Sequence, residues 1–253
     1  MRVFAISDLH LDYDINYQWV AGLSEHDYAD DVLILAGDVS DSLPLLARVL
    51  RALSRRFKQL LYVPGNHELW VHRDEDGLTS FEKFDRVVAV ASDCGASMQP
   101  FSAGELSIVP LLGWYDYSFA QPDPSLGERW MDYRNCRWPG PLTPRDVTER
   151  FVRLNEPWLE TRNDRMISFS HFLPRIDVMP DRVPAEVRAL YAVLGTVSLD
   201  AQIKRLRSAL HVYGHSHLNR RTTLDNIVYV NNAFGYPAEE RIAAKRLLCI
   251  YQR

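Results

Sequence analysis

The chain opens with short apolar runs that are separated by amphipathic stretches. Arg2 to Ser7 is rich in Val, Ile and Phe, Asp31 to Ala36 contains a continuous apolar run, and Gln59 to Val63 is a third. Runs of this length without polar alternation are typical of fully buried strands. Between them, Pro44 to Phe57 carries leucine and valine at helical spacing, which predicts an amphipathic helix with Ser42 as its N-cap.

The rest of the chain alternates in the same way, with one segment of weak periodicity. Helices are predicted over Leu78 to Ser92, Arg145 to Thr161 and Pro184 to Arg207, the last of them broken near Gly195. Tyr115 to Pro144 is rich in Trp, Tyr, Pro and Arg and is typical of a long structured loop or insertion. Further strands are predicted at Leu106 to Leu112, Arg165 to Ser170, Leu210 to Tyr213, Arg221 to Leu224, Ile227 to Val230 and Leu247 to Tyr251. Because strands and helices alternate at the start of the chain, the pattern predicts an α/β fold with neighbouring parallel strands.

The bulk properties are those of an ordinary soluble globular protein. Hydrophobic residues make up 47% and charged residues 25% of the 253 residues. No repeat or interdomain linker is visible, so we expect a single domain over residues 1–253, with the segment at about 115–144 as an aromatic-rich insertion or loop. The formal net charge of −4 provides no general attraction for nucleic acid.

Cysteine usage and the length of the apolar runs bear on the location of the protein. Cys94, Cys136 and Cys249 lie far apart and predict no disulfide framework, which favours a reducing compartment. The apolar start of the chain is too short for a signal peptide, and no stretch approaches the ~20 apolar residues of a membrane-spanning helix. We therefore expect a cytoplasmic protein without a membrane partner.

Side chains that can bind metals follow the predicted strands directly. Five of the eight histidines take part, together with aspartates and one asparagine. The groups are Ser7-Asp8-Leu9-His10, Gly37-Asp38-Val39-Ser40-Asp41, Gly65-Asn66-His67-Glu68, the pair Ser170-His171, and Gly214-His215-Ser216-His217. Because sites in α/β sheets form beyond the carboxyl ends of the strands, we expect these groups to converge on one edge of the fold.

The chemistry of these side chains suits transition metals. Aspartate, histidine and asparagine combine hard oxygen with imidazole nitrogen and offer no thiolate, which favours Mn, Fe, Zn, Co or Ni over Mg, Ca or copper(I). Seven such ligands exceed the need of one open site and suit two ions that share a bridging carboxylate. Two ions ~3.5–4 Å apart can hold a phosphate and lower the pKa of an attacking water. The sequence therefore predicts a phosphoester hydrolase with two divalent or mixed-valence transition metal ions. Manganese is the metal expected first, with Fe, Zn, Co and Ni as alternatives.

The order of the motifs resembles that of the calcineurin-like metallophosphoesterase superfamily. Asp-x-His, Gly-Asp-x-x-Asp, Gly-Asn-His-Glu, a lone His and Gly-His-x-His follow one another between Asp8 and His217. The resemblance implies a four-layer α/β/β/α sandwich with two mixed β-sheets. It also implies a phosphatase or phosphodiesterase in which a hydroxide that bridges the metals attacks phosphorus in line. The motifs leave monoester and diester substrates open.

The resemblance assigns a role to each metal-binding residue. The first metal would be bound by Asp8, His10 and His217. The second metal would be bound by Asn66, His171 and His215. Asp38 would bridge the two metals.

Other residues near the ligands receive supporting roles. The resemblance implies that His67 contacts the phosphate and stabilises the transition state or protonates the leaving oxygen. Glu68, where many members of the family have Asp, would orient His67 or its loop, and Asp41 would support the ligands from behind. Arg134 and Arg175 are candidates for contacts with a substrate phosphate, although a structural or solvated arginine is the plainer interpretation of both.

Alternative interpretations remain open at this point. Each motif taken alone is also ordinary turn chemistry, and a single buried histidine is more often structural. A noncatalytic scaffold or interaction subunit that keeps the fold is the alternative function, and the complete set of ligands argues against it. The aromatic segment can line a substrate pocket or pack as a satellite core beneath a long loop. The sequence indicates neither the physiological substrate nor the oligomeric state.

Overall fold

Strands and short helices alternate along the chain in the computed structural model, which describes residues 1–74 and 77–253. The strands are β1 (Arg2–Ile6), β2 (Val32–Ala36), β3 (Gln59–Val63), β4 (Ala96–Ser97), β5 (Phe101–Ala103), β6 (Leu106–Pro110), β7 (Arg165–Phe169), β8 (Leu210–Tyr213), β9 (Arg220–Leu224), β10 (Ile227–Asn231) and β11 (Leu248–Gln252). The α-helices are α1 (Asp14–Ala21), α2 (Leu43–Arg56), α3 (Ser80–Asp93), α4 (Leu126–Arg129), α5 (Asp132–Asn135), α6 (Pro144–Leu154), α7 (Ala185–Arg188) and α8 (Val197–Leu206). Short 3-10 helices lie at His67–Leu69, Glu156–Trp158, Ile176–Val178 and Tyr191–Val193.

The strands form two mixed β-sheets with helices flanking them. The first sheet has the order β11-β1-β2-β3-β4, in which β11 is antiparallel to β1 and the others run parallel. The second has the order β5-β6-β7-β8-β10-β9, with antiparallel strands at both edges and parallel strands between them. The expected α/β class with two mixed sheets is confirmed.

Successive side chains on the central strands point to opposite faces of the sheet, so one short apolar run contributes to two hydrophobic cores. On β1, Val3 and Ala5 belong to the core between the sheets, whereas Phe4 and Ile6 belong to the core beneath α2. Both sets are buried, so no position from Val3 to Ile6 is left for a polar residue. Burial of such side chains stabilises the fold by about 1.5–3 kcal/mol each, and it fixes where the strand ends.

Two of the predicted helices are shorter than their apolar patterns suggested. The helix predicted over Arg145 to Thr161 ends at Leu154, because Pro157 lies in the next turn and disfavours the α conformation before it. The helix predicted over Pro184 to Arg207 is interrupted near Gly195, as expected. A side chain at Gly195 would place its Cβ 1.9 Å from the Leu173 carbonyl oxygen, so this position admits only glycine.

The segment at about 115–144 contains α4 and α5 and contributes aromatic side chains to the core. Trp114 and Tyr115, at its start, are 1% and 2% exposed. Trp114 packs edge-on against Trp138 at 5.3 Å and lies 5.0 Å from Phe172. Part of the aromatic content therefore anchors the segment to the core. Within the described residues, no helix has the length and apolar character needed to cross a membrane.

Candidate metal centre

The loops that follow β1, β2 and β8 carry the metal-capable residues in an unusual backbone conformation. Five of these residues have positive φ angles, namely Asp8 (54°), His10 (43°), Asp38 (55°), His215 (67°) and His217 (53°). The left-handed region costs an L-residue roughly 1–2 kcal/mol, so it persists only where surrounding contacts impose it. Here the β1 and β2 loops are tied together, since the amides of Asp8 and His10 donate to the carbonyls of Gly37 and Asp38 at 2.9 and 3.0 Å.

The first group of converging side chains lies between the β1 and β8 loops. Ligand atoms of Asp8, His10, Asp38 and His217 all lie within 4.8 Å of one another. The Nε2 atoms of His10 and His217 are 2.9 Å apart, and His217 Nε2 is 3.3 Å from Asp8 Oδ1. Each of the four residues is almost completely buried. The structure thus brings together residues that are more than two hundred positions apart.

A second group shares Asp38 with the first. His171 Nε2 lies 3.1 Å from His215 Nδ1, 3.2 Å from Asn66 Oδ1 and 3.5 Å from Asp38 Oδ1. The other carboxylate oxygen of Asp38, Oδ2, is 4.0 Å from His10 Nε2 in the first group. Asp38 therefore stands between the two groups, with one oxygen directed to each.

In the second group, hydrogen bonds on the outer side of the two histidine rings determine which ring nitrogen carries the proton. Nδ1 of His171 lies 2.9 Å from the Ala36 carbonyl, and Nε2 of His215 lies 3.0 Å from the Val193 carbonyl. A carbonyl only accepts, so each outer nitrogen carries the proton and donates it. The inner nitrogens of both rings are left as lone pairs that face each other and the Asn66 oxygen.

Converging lone pairs make this arrangement fit a cation. In the second group His171 Nε2 lies 3.1 Å from an imidazole nitrogen and 3.2 Å from an amide oxygen with no proton between them, which is repulsive unless a positive ion lies among these atoms. Ligand atoms bonded to one metal at about 2.0–2.1 Å are separated by roughly 3 Å, as these atoms are. The residues present therefore fit divalent metal ions, and the ions would be reached from solvent through the clefts described below.

The charges in the first group are balanced against the cost of burial. Burial opposes ionisation of Asp8, but the neighbouring His217 lowers the pKa of its carboxyl well below the usual range. Burial likewise disfavours a charged His217, yet Asp8 and Glu239 raise the pKa of that imidazole to about 10. Without metal, His217 thus supplies positive charge where the carboxylates require it. Burial, Glu68 and Asp8 raise the pKa of Asp38.

Asp132 supports the second group and was not found by sequence reasoning. Its Oδ1 accepts from Asn66 Nδ2 at 2.8 Å and from Trp70 Nε1 at 2.7 Å, and its Oδ2 accepts from Trp130 Nε1 at 2.9 Å. The first of these bonds directs the Asn66 oxygen toward His171. Burial raises the pKa of Asp132 to about 6 in spite of the three donors. Its position inside the aromatic segment, two residues after Trp130, gave no metal-site signal.

Two glutamates support the loops that carry the ligand groups, and the first of them, Glu68, was predicted from the sequence. The Glu68 carboxylate accepts the backbone amides of Asp38, Val39, Ser40 and Gly65 at 3.1, 2.6, 3.3 and 2.7 Å. It thereby ties the β2 loop to the β3 loop, although burial raises the pKa of Glu68 to about 7 against these donors.

Glu239 was not predicted from the sequence. Its Oε2 lies 2.7 Å from His217 Nδ1 and accepts the Tyr236 amide at 2.7 Å. No motif surrounds Glu239 in the chain, because the turn after β10 brings it to the centre. A carboxylate behind a ligand imidazole fixes the tautomer and orientation of that ring.

Aromatic rings hold His67 and His10 beside the two groups. His67 stacks on Trp70 with ring centroids 3.6 Å apart, and its Nε2 is 3.7 Å from Asp38 Oδ2. Tyr236 stacks on His10 at 4.3 Å. Burial and the nearby histidines lower the pKa of His67 well below its usual range. His67 therefore lies at the edge of the centre, 13% exposed, where an incoming group can reach it.

Two clefts meet at His67 and Tyr236 and open the centre to solvent. The apolar cleft, about 210 Å³ in volume, is bounded by Trp130, Met179, Val187, Leu190 and Leu194. The polar cleft, about 410 Å³, is bounded by Asp12, Tyr13, Asp41, Trp70, Arg73 and Met131. Asp38, Asn66, His215 and His217 form the floor of the apolar cleft, and His10 borders the polar cleft.

The remaining residues singled out in the sequence lie farther from the ligands. Asp41 borders the polar cleft and accepts from Arg73 Nη1 at 3.4 Å, and burial raises its pKa. Arg175 donates to Asp177 and to Asp225 at 2.7 Å, bonds that raise the pKa of its guanidinium. Arg134 is exposed on α5. Neither arginine is among the described residues that line the two clefts.

Comparison with known proteins shows the family to which the chain belongs. The model of the calcineurin-like phosphoesterase family matches residues 1–219. The chain is 28% identical to the [acyl-carrier-protein] phosphodiesterase PptH of Mycobacterium tuberculosis over 268 aligned positions, which cover 94% of this chain and 79% of PptH. It superimposes on the crystal structure of the phosphopantetheinyl hydrolase PptH from the same organism with a TM-score of 0.79 and 27% identity, covering 98% of this chain and 95% of PptH. The protein is therefore a metal-binding hydrolase that belongs to the calcineurin-like phosphoesterase family.

Proposed function

We propose that this protein is a dinuclear metal-dependent phosphodiesterase. The observation that carries the proposal is the pair of ligand groups that share Asp38, in the second of which unprotonated inner atoms converge on one centre. Two ions bound there would neutralise charge on the phosphoryl oxygens and lower the pKa of an attacking water. Manganese is the metal we expect first, with Fe, Zn, Co and Ni as alternatives that the donor set also accepts.

In this proposal the ligand residues and His67 have separate roles. The first ion is held by Asp8, His10 and His217, the second by Asn66, His171 and His215, and Asp38 lies between them. His67, positioned by its stack on Trp70, contacts the phosphoryl group and stabilises the charge that develops on its oxygens or on the leaving oxygen. Because burial keeps His67 neutral without a ligand, its ring can donate through whichever nitrogen carries the proton.

Two observations favour diesters over monoesters. The relative that aligns along nearly the whole chain is named a phosphodiesterase of acyl carrier protein, and its crystal structure is named a phosphopantetheinyl hydrolase. The centre in this chain is flanked by two clefts, so a substrate with an ester arm on each side of phosphorus can be accommodated. We propose that this protein also hydrolyses a phosphodiester of that kind, with a protein on one arm.

A metal-controlled assay tests the proposal. The protein is stripped with chelator, supplied with one metal at a time and assayed on bis-p-nitrophenyl phosphate, p-nitrophenyl phosphate and phosphopantetheinylated acyl carrier protein. We expect metal-restored turnover with diester preference. His67→Ala should lower kcat by about 10²–10³-fold while the metals stay bound, as the loss of one charge-stabilising donor does elsewhere. Asp38→Ala should lose both metal and activity.

The same assay separates the enzyme from a scaffold. A protein that binds two metals but turns over none of the three esters would support the noncatalytic alternative. Monoester turnover in excess of diester turnover would contradict the diester preference while leaving the hydrolase intact. Failure to bind any transition metal would contradict the whole proposal.

A further inference from the structure

The two clefts that meet at the metal centre differ in chemistry, and the difference bears on the substrate. We infer that the apolar cleft binds an uncharged, largely aliphatic arm attached to the phosphoryl group. This inference rests on the proposed phosphodiesterase function and specifies one half of its substrate. The two ester arms of a phosphodiester leave phosphorus in different directions, so a centre between two unlike clefts can bind a different arm in each cleft.

The wall of the apolar cleft carries aliphatic surface next to a strongly polar floor. Met179 and Leu194 are 5% and 4% exposed and pack into the core, so they form a firm base. Val187 and Leu190 are only partly buried, although they pack against the same core. A ligand that covers partly buried aliphatic groups removes their apolar surface from water, which makes binding more favourable. They lie in the same cleft as Asn66 and His215, so a ligand on the metals can reach them.

Charge in the apolar cleft excludes an ionic arm. No lysine or arginine is found among the described residues that line it. Its carboxylates are Asp38, within the metal centre, and Glu239, which binds His217. A second phosphate or a carboxylate on the arm would meet Glu239 with no cation besides the metals, and its burial would be unfavourable. The polar cleft differs because Arg73 lies there, 3.4 Å from Asp41.

The size and rigidity of the apolar cleft suit a short chain. Its volume of about 210 Å³ includes the space over the metal centre, so the room left beside the aliphatic wall suits a short arm. Trp130, on one side, is fixed because its Nε1 donates to Asp132 and its ring meets His215 edge-on at 5.6 Å. A wall that is already ordered costs little further entropy on binding.

Binding of alkylphosphonates to the manganese-loaded protein tests the inference. Each phosphonate offers one anionic group for the metals and one uncharged arm, so the series from methyl to octyl changes only the arm. We expect the Kd measured by calorimetry to fall by up to about fourfold for each methylene that becomes buried. The decrease should level off within the series, when the arm has filled the cleft.

Matched variants identify the cleft that holds the arm. Leu190→Asn, and independently Val187→Asn, should flatten the dependence on chain length and leave the affinity for methylphosphonate unchanged. Met131→Asn places the same change in the polar cleft, at a side chain that is 44% exposed, and should preserve the dependence. Thermal unfolding and metal content of each variant confirm that the fold is intact.

The outcomes separate this inference from the proposed function. If methylphosphonate binds and diesters turn over, but longer chains bind no more tightly, the apolar arm is wrong and the phosphodiesterase stands. The same conclusion follows if Met131→Asn flattens the series and Leu190→Asn does not. If methylphosphonate fails to bind the metal-loaded protein and no diester turns over, the proposed function fails, and the inference fails with it.

Discussion

Close approach at Gly65 shows how little space the ligand residues leave for one another. A Cβ atom at Gly65 would lie 2.1 Å from Asp38 Oδ1 and 2.7 Å from His171 Nε2. Both are ligand atoms in the proposed centre, and Asp38 stands between the two groups. Real Cβ atoms do not approach oxygen so closely, so one of these side chains would have to move. The backbone of the β3 loop can thus approach the metal centre only because position 65 has no side chain.

Gly65→Ala is therefore expected to disrupt the centre without unfolding the protein. We expect the variant to bind less than half of the wild-type metal and to lose at least about 10²-fold in kcat/KM, since a ligand shift of 1 Å can cost this much. Metal content by mass spectrometry and turnover of a diester are the measurements. Gly127→Ala is the matched control, because among the described residues outside its own helical turn no atom lies within 4 Å of the added Cβ. Full metal content in Gly65→Ala would contradict the geometry.

His211 shows that a buried histidine in this chain can be structural. It is fully buried between Ser168 and Ser170, with Nδ1 2.8 Å from the first hydroxyl and Nε2 3.0 Å from the second. The Ser170 hydroxyl donates to the Phe172 carbonyl, so it accepts from His211, and Nδ1 accepts from Ser168. Burial lowers the pKa of His211 to about 3. A proton on Nδ1 would leave the Ser168 hydroxyl without this acceptor.

The pKa of His211 predicts a loss of stability in mild acid. An unfolded histidine takes up a proton near pH 6.5, whereas folded His211 does so only near pH 3. The contribution of neutral His211 to the unfolding free energy is therefore complete above pH 6.5 and is lost as the pH falls toward 3. Between pH 7.5 and 5 we expect wild type to lose roughly 2 kcal/mol more unfolding free energy than His211→Gln. Urea unfolding of both proteins at both pH values measures this difference. Equal losses would show that His211 does not titrate in this way.

At the scale of elements, the sequence predicts the parts of the centre that local patterns encode. Val32 to Ala36 is apolar without interruption because β2 is buried on both faces, and Asp38 must then follow where the strand ends. The same reasoning places His171 after β7 and His215 after β8. Strand ends and motif order are local in the chain, so the fold class and the convergence of the ligands could be inferred from them.

Residues that support the ligands could not be inferred in the same way. Asp132 reaches Asn66 from α5 across 66 positions, and Glu239 reaches His217 from the turn after β10. Their contacts depend on how a loop of weak periodicity folds back over the sheet edge, which no local pattern encodes. The same holds for the apolar cleft, whose wall comes from the short helices around Val187 and Leu190.

The role of α5 in positioning Asn66 leads to a prediction at this scale. Asp132→Asn replaces an acceptor by a group that must also donate, so it cannot satisfy Asn66, Trp70 and Trp130 together. We expect metal affinity in the second group to fall by about 10–100-fold, as it does when such supporting residues are removed elsewhere. Titration of the stripped protein with Co²⁺, followed by visible absorption, measures affinity and ligand geometry together.

Controls for Asp132 separate its contacts from one another. Trp130→Phe removes only the donor to Oδ2, and Trp70→Phe removes one of the two donors to Oδ1 while it keeps a ring beneath His67. Both should retain more metal affinity than Asp132→Asn, because each keeps the carboxylate that accepts from Asn66 and places no additional donor against it. If Asp132→Asn changes only the melting temperature and leaves the Co²⁺ spectrum and affinity as in wild type, α5 has a merely structural role.

At the scale of the whole molecule, the metal centre connects the two sheets. Asp8, Asp38 and Asn66 follow strands of the first sheet, whereas His171, His215 and His217 follow strands of the second. A direct hydrogen bond crosses the same boundary, since the His215 amide donates to the Asp8 carboxylate at 2.9 Å. Ions held between these loops would therefore stabilise the packing of one sheet on the other, in addition to any part in catalysis.

Removal of the metals is accordingly expected to lower the stability of the whole domain in one transition. An ion at 100 times its Kd stabilises the native state by about 2.7 kcal/mol, and a chain of this size shifts its Tm by roughly 2–4 °C per kcal/mol, so each site contributes about 5–10 °C. Differential scanning calorimetry of chelator-treated protein, before and after Mn²⁺ is restored, measures the shift. Asp38→Ala, which removes the carboxylate common to both groups, should show no Mn²⁺-dependent shift, while His67→Ala should keep all of it because His67 holds no metal in the proposed centre. A shift that Asp38→Ala retains in full would mean that the stabilising ions bind somewhere else, and the two ligand groups described for this centre would then lose their assignment.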